Sequence, residues 1–137
     1  MERVVFDDTF VVTAIDSEKF DKVSRIKAQA QTFLADIELD VNTEIYPVRT
    51  KETFSIALAV TGEEAAWDST GKAGGALIDA YEYVMFGKIY KKVAGSGSRV
   101  SVYASFGGLL MCLEGDRGDL DGLHLDERLY LLMKKVY

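Results

Sequence analysis

The stretch Phe33-Leu34-Ala35-Asp36-Ile37-Glu38-Leu39-Asp40-Val41-Asn42-Thr43-Glu44-Ile45-Tyr46 decides the fold. Within it Phe33, Ala35, Ile37, Leu39, Val41 and Ile45 alternate with Asp36, Glu38, Asp40, Asn42 and Glu44. Successive side chains of an extended chain point to opposite faces, so this period predicts a strand with one buried and one wetted face. Pro47, the only proline, marks the end of that ladder.

Moving downstream, Phe54, Ile56, Leu58 and Val60 share one face of a second strand, with Thr53, Ser55, Ala57 and Ala59 on the other. Upstream, Val4 to Ala14 is rich in Val, Phe and Thr, and Lys22 to Ala30 sets Val23, Arg25 and Lys27 opposite Ser24, Ile26 and Ala28. Both are expected to be strands, with a turn at Asp16-Ser17-Glu18, where short polar side chains bond nearby amides. From Thr61 to Ala80 the period breaks into scattered glycines and charges around Trp67, which predicts one long surface loop over 61–80.

Beyond the loop, Tyr81 to Val93 has two apolar faces, Tyr83, Met85 and Ile89 against Val84, Phe86 and Tyr90. Such a strand is covered on both sides or meets a partner. After Gly95-Ser96-Gly97, one strand carries Val100, Val102, Ala104 and Phe106 on one face, and Gly107-Gly108 leads straight into Leu109, Met111 and Leu113. A Gly-Gly pair between apolar runs predicts a two-residue hairpin, because the turns that match strand twist require positive φ. A loop rich in Asp and Gly, from Gly115 to Gly122, precedes a last strand from Arg128 to Lys135 with Leu129, Leu131 and Met133 inward. About eight short strands in one small chain suit a barrel or a sandwich.

With 137 residues the chain has room for a single domain spanning 1–137, since independent domains usually need about 100 residues each. Hydrophobic residues make up 48% and charged residues 28%, enough apolar surface to offset the entropy of ordering the chain. The longest apolar runs fall well short of the roughly 20 residues that span a bilayer, so no membrane association is expected. The start Met1-Glu2-Arg3, reaching Asp7-Asp8 almost at once, does not look like a secretory signal and suggests an intracellular protein. A net charge of −6 opposes autonomous nucleic-acid binding, which draws on phosphate neutralisation by Lys and Arg.

The raw material for catalysis is thin. His124 is the only histidine and sits in a loop, and Cys112, the only cysteine, is expected to be a small buried hydrophobe in an apolar strand. The carboxylates Asp36, Glu38, Asp40 and Glu44 line one face of a strand about 7 Å apart, more in the manner of a solvated ladder than of a loop that wraps calcium. Asp119-Leu120-Asp121-Gly122 imitates part of a calcium loop, but Arg117 and Arg128 stand where its first and last ligands belong. No catalytic residue, metal site or cofactor is expected. One cationic stretch, Lys19, Lys22, Arg25 and Lys27 with Phe20 and Phe33 beside it, is the candidate for weak contact with single-stranded DNA.

Several segments, in order along the chain, resemble the eighth, small subunit shared by nuclear RNA polymerases I, II and III. They are Val5-Phe6-Asp7-Asp8-Thr9-Phe10, Lys22-Val23-Ser24-Arg25-Ile26, Asp40 through Val48, Tyr81 through Tyr90, Ser105-Phe106-Gly107-Gly108-Leu109-Leu110-Met111 and Arg128 through Lys135. The blocks Tyr83-Val84-Met85-Phe86-Gly87 and Ser105 to Met111 carry most of the specificity. The resemblance implies an all-β, eight-stranded antiparallel barrel, OB-fold-like, with one long loop after the fourth strand. It also implies a non-catalytic structural and assembly role, docking on the largest polymerase subunit in the nucleus, including the nucleolus. A weak affinity for single-stranded DNA is ascribed in this family to the segment matching Asp16 through Asp40. Two features depart from the family pattern: Cys112 stands where an arginine is usual, and the loop 61–80 is short.

Tyr83, Phe86, Tyr90, Tyr103, Phe106, Gly107 and Gly108 are the candidate partner contacts, because Tyr, Phe and Met present large contact area at low entropic cost. Two rival readings are an autonomous single-strand-binding protein using Lys19 to Phe33, and a barrel enclosing a small molecule. The second is disfavoured because eight short strands make a barrel that side chains just fill, so no small-molecule substrate is expected.

Overall fold

The computed structural model describes residues 2–17, 21–61 and 75–137. Eight strands, β1 (Glu2–Asp16), β2 (Val23–Ala30), β3 (Asp36–Asn42), β4 (Thr53–Thr61), β5 (Tyr83–Ala94), β6 (Arg99–Phe106), β7 (Leu109–Asp116) and β8 (Arg128–Lys135), close into a barrel. Their order around it is β1-β2-β3-β7-β6-β5-β8-β4, and β4 returns to β1. Every neighbouring pair is antiparallel. An antiparallel barrel consistent with the OB-like fold is thus what the alternation produces, and the sandwich alternative is set aside.

Closure depends on long strands that serve two neighbours. β1 pairs with β4 over Glu2 to Val11 and with β2 over Phe10 to Asp16, bending at irregularities between Val4 and Phe6 and between Val12 and Ala14. Bulges of this kind sharpen the local twist and let one strand turn a barrel corner. β8 lies between β4 and β5 and joins the two ends of the sheet.

The deciding stretch is a shorter strand than its period suggests, Asp36–Asn42 rather than Phe33–Tyr46. At its start the Asp8 carboxylate accepts the amides of Thr32 at 3.0 Å and Phe33 at 2.8 Å, and the Ala30 amide reaches the Ala35 carbonyl at 2.9 Å. These bonds form a turn over 31–34 and pull Phe33 and Leu34 off the ladder. At its end the Asn42 carbonyl accepts the Tyr46 amide at 3.0 Å, while the Asn42 side chain accepts the Glu44 amide at 3.2 Å. Local side-chain bonding to the backbone competes with the ladder and wins at both ends.

The interior is filled by Phe10, Phe54, Ile26, Ile37, Leu39, Ile56, Leu58, Ile89, Met111 and Leu113, all under 2% exposed. Leu120 and Leu123, in the turn between β7 and β8, are completely buried in the same cluster. Elsewhere on its margin Tyr46 stacks on Tyr83 at 5.1 Å and donates its hydroxyl to Glu82 at 2.6 Å. A second apolar cluster lies outside the barrel. There Ala57, Ala59, Tyr130 and Leu132 are buried beneath Leu77, Ile78, Tyr81, Val84 and Phe86. Leu77 and Ile78 belong to α1 (Gly75–Asp79), a single helical turn. Of the segment 61–80 read as a loop, Thr61 ends β4, α1 occupies 75–79, and residues 62–74 lie outside the described residues.

The hairpin glycines have the geometry expected of them, φ being 65° at Gly107 and 100° at Gly108. Gly87 is glycine for a different reason. A Cβ there would stand 2.1 Å from the Ser105 carbonyl oxygen and 2.7 Å from the Phe106 ring. Backbone cannot yield as a flexible side chain can, so Gly87→Ala is expected to cost about 1–3 kcal/mol through overpacking. Urea denaturation of the variant checks this, and a change within about 0.5 kcal/mol, the range of ordinary surface substitutions, would refute it.

Candidate functional site

Register builds the outer face of the six strands β1-β2-β3-β7-β6-β5 as rows of directly opposed residues. One row runs Ala14, Lys27, Glu38, Cys112, Tyr103, Lys91. A second sets Arg25 against Asp40, with Leu110 opposite Ser105 and Ser105 opposite Lys88. A third runs Gln29, Asp36, Glu114, Ser101, Val93. Opposed side chains lie close enough to interact, so each row is a line of contacts across the barrel wall.

Across β2, β3, β6 and β7 the charges of this face are paired. Lys27 pairs with Glu38 at 3.6 Å, Lys22 with Glu44 at 4.0 Å, and Arg99 with Glu114 at 3.4 Å and Asp36 at 3.9 Å. Arg25 pairs with Asp40 through two bonds, Nε to Oδ1 at 2.8 Å and the terminal nitrogen to Oδ2 at 3.1 Å. Asp40 is only 2% exposed. Its Oδ2 also accepts the Leu110 amide at 2.9 Å, just beyond Leu39 opposite Met111, the last β3–β7 pair. The carboxylate therefore extends the seam where the backbone ladder has stopped. Its hydrogen bond holds the Arg25 guanidinium above its ordinary value, against the opposing effect of burial.

The anionic strand face is consequently an ion-pair surface, with Asp40 buried rather than solvated. Among the described residues no group of three or more His, Cys, Asp or Glu could hold a metal ion. Lys19 lies outside the described residues, and Lys22, Arg25 and Lys27 each face a carboxylate across the β2–β3 ladder or at its end.

Cys112 corrects the expectation of a buried core thiol. It alternates with Met111 and Leu113, which point inward, so it faces out and is half-buried opposite Tyr103 and Glu38. Burial pushes its thiol up, partly opposed by the Tyr103 hydroxyl, with Glu38 and Glu114 adding to the rise. The thiol stays protonated at neutral pH and is a poor nucleophile. His124 is exposed, and its amide donates to Glu127 Oε1 at 3.2 Å within a turn.

The proposed partner contacts fall into three environments. Tyr83 and Phe106 face the barrel interior at 8% and 5% exposure, because they share strand faces with Met85 and Ala104. Phe86 faces outward but packs on Tyr130, ring centroids 4.8 Å apart, in the cluster beneath α1. Tyr90, Tyr103, Gly107 and Gly108 are on the outside, and open space surrounds the Cβ positions of both glycines. Tyr90 and Tyr103 lie 6.2 Å apart, with the Lys91 ammonium 5.2 Å from the Tyr103 ring centre. Together with Arg25, Glu38, Leu110 and Cys112 they line a cleft of about 130 Å³. A neighbouring cleft of about 320 Å³ is lined by Ala14, Ile15, Asp16, Arg25, Lys27 and Glu38. Leu110 and Cys112 were legible as outward-facing from the alternation of Leu109, Met111 and Leu113. The buried role of Asp40 was not, since it requires knowing which strands lie on either side of β3.

Comparison with known proteins finds the family RNA polymerase Rpb8 matching residues 7–135. A Dictyostelium discoideum protein described as DNA-directed RNA polymerases I, II, and III subunit rpabc3 is 43% identical, over 99% of this chain and 100% of its own length. An Arabidopsis thaliana protein, DNA-directed RNA polymerases II, IV and V subunit 8B, is 41% identical over 97% of each chain. The Schizosaccharomyces pombe subunit RPABC3 of polymerases I, II, and III is 39% identical over 98% of each.

Asp40→Ala removes the bidentate partner of Arg25 and the acceptor of the Leu110 amide together. A loss of about 2 kcal/mol is expected from leaving these donors unpaired. Hydrogen exchange is expected to speed up at Leu110 in the same variant, and unchanged protection there would rule out the seam.

Proposed function

The chain belongs to the RNA polymerase Rpb8 family, and from that premise we infer that it is a non-catalytic structural and assembly subunit of the nuclear RNA polymerases I, II and III, docked on their largest subunit. Its family membership over residues 7–135 is the observation that carries this reading. The names of relatives support the sharing among enzymes, although the Arabidopsis thaliana relative is named for polymerases II, IV and V. Work in the nucleus follows from the role, and the nucleolus is included because polymerase I is among the enzymes served. The full chain, 1–137, acts as one domain.

Docking is assigned to the outward members of the candidate set, Tyr90, Tyr103 and the hairpin Gly107-Gly108. Tyrosines held by neighbours lose little freedom on binding, which favours them as anchors. Tyr83, Phe106 and Phe86 act indirectly, by fixing β5 and β6 beneath that surface. The chain uses no cofactor and no small-molecule substrate, and it works away from membranes. Among the described residues no helix is long and apolar enough to cross a bilayer.

A tagged copy of this chain used as bait in nuclear extract is expected to recover the largest subunits of all three polymerases. Recovery of none of them would overturn the reading.

Weak contact with single-stranded DNA is the second reading, favoured by the cleft of about 320 Å³ that Arg25 and Lys27 line. Each of these cations brings a carboxylate with it, so few phosphates are neutralised and the contact is weak. Fluorescence anisotropy with labelled single strands is expected to show binding only at low salt. Micromolar affinity persisting at about 150 mM salt, the level at which phosphate contacts are heavily screened, would contradict this and place the protein among autonomous binders.

A further inference from the structure

Among the described residues the outside of the barrel shows two apolar areas of note, and those residues cover only one of them. Over β4, β8 and the first half of β5, Leu77 and Ile78 of α1 lie on Tyr130, Leu132, Val84 and Phe86. Over β5, β6 and β7, Tyr90 is 47% exposed and Leu110 is 37% exposed, with Tyr103 and Cys112 between them. Resting on the family reading above, we propose that this second area is a socket for one apolar side chain of an extended segment of the largest polymerase subunit, with a carboxylate of the same segment meeting Lys91.

The cleft lined by Arg25, Glu38, Tyr90, Tyr103, Leu110 and Cys112 measures about 130 Å³. A cavity of roughly 150 Å³ takes up a benzene ring, so this one holds a single leucine- or phenylalanine-sized group and little else. Met111 and Cys112 also line it, the half-buried Cys112 thiol being kept protonated by burial and therefore apolar in character. Its walls are the two tyrosine rings, 6.2 Å apart.

Charge identifies the occupant's flank. Lys27, Arg25, Arg99 and Lys88 each have a carboxylate within 4.0 Å. Lys92 is turned to the Leu123 carbonyl at 2.8 Å. Lys91 has no carboxylate in reach among the described residues, and its ammonium lies 5.2 Å from the centre of the Tyr103 ring, which lines the socket. A nucleic-acid strand would need a line of free cations here, and the row instead alternates in sign from Lys27 to Glu38. A second copy of the chain would bring another net charge of −6 against the first. A peptide with one apolar anchor beside an Asp or Glu satisfies both the socket and Lys91. The socket lies in a wall of paired strands, so the segment binds through side chains and does not add a strand to the sheet.

The test uses the tagged full-length chain with three outward substitutions, Cys112→Phe to fill the socket, Leu110→Glu to charge its rim and Lys91→Glu to reverse the flank. Thermal unfolding first establishes that each variant is folded. Recovery of the largest subunit is expected to fall at least about tenfold for Cys112→Phe and Leu110→Glu, the loss typical of removing a central contact. A photo-reactive phenylalanine at position 110 is expected to cross-link to the largest subunit. If the parent chain recovers polymerase and folded Cys112→Phe recovers it equally well, the socket is overturned while the family reading stands. A cross-link from position 110 to nucleic acid, or to a second copy of this chain, also overturns it. Failure of the parent chain to recover any polymerase defeats both.

Discussion

Closure through β8 is the constraint on which the other features depend. The last strand in the chain hydrogen-bonds to β4 on one side and to β5 on the other. Once it is in place the ladder runs round the whole barrel, and no strand is left without a neighbour on either side. Recognition then falls to side chains on the convex face. Closure also forces each strand to be read twice. Residues facing in must fill the barrel, and residues facing out must be wetted, paired or covered.

The outward residues meet that demand in three ways. Beneath α1 they are apolar and covered by the chain itself, as with Tyr130 and Leu132. Across β2 and β3 they are charged and matched, Lys27 to Glu38 and Arg25 to Asp40. Exposed pairs of this type contribute little stability, about 0.2–1 kcal/mol each. Their more useful effect is on register, because a one-residue slip would turn every charge into the barrel. Asp40 differs in kind. Buried and bonded to both Arg25 and the Leu110 amide, it holds β7 beside β3 where the ladder has ended. The third group, Tyr90, Tyr103 and Leu110, is uncharged in itself and is left uncovered by the described residues.

Most of the architecture was legible in the sequence, because period two is a direct imprint of a half-buried strand. The alternation of Val100, Val102, Ala104 and Phe106 and that of Leu129, Leu131 and Met133 correspond to buried faces residue for residue. The Gly107-Gly108 turn was legible because positive φ demands glycine. What escaped was the content that arises between strands. Whether Phe86 is a docking residue or a covered one depends on α1, and nothing in β5 alone encodes that helix. The true start of β3 depends on Asp8, 25 residues before the Phe33 amide that it binds. Cys112 was read from the apolar character of its neighbours, when their alternation already placed it outside.

A closed barrel suits a subunit that performs no chemistry of its own. The cost of binding includes ordering whatever was loose beforehand, about 0.5–1.5 kcal/mol for each side chain immobilised. Here the Tyr103 ring is already held between Lys91 and Cys112, opposed to it across β5 and β7, and its backbone is fixed in the ladder on both sides. The ordering was completed when the chain folded, so a partner meeting this face retains more of its contact energy as affinity. The same rigidity limits the surface to partners whose shape already fits it. A barrel shared by several polymerases must therefore meet a common shape in each, rather than adjust itself to different ones.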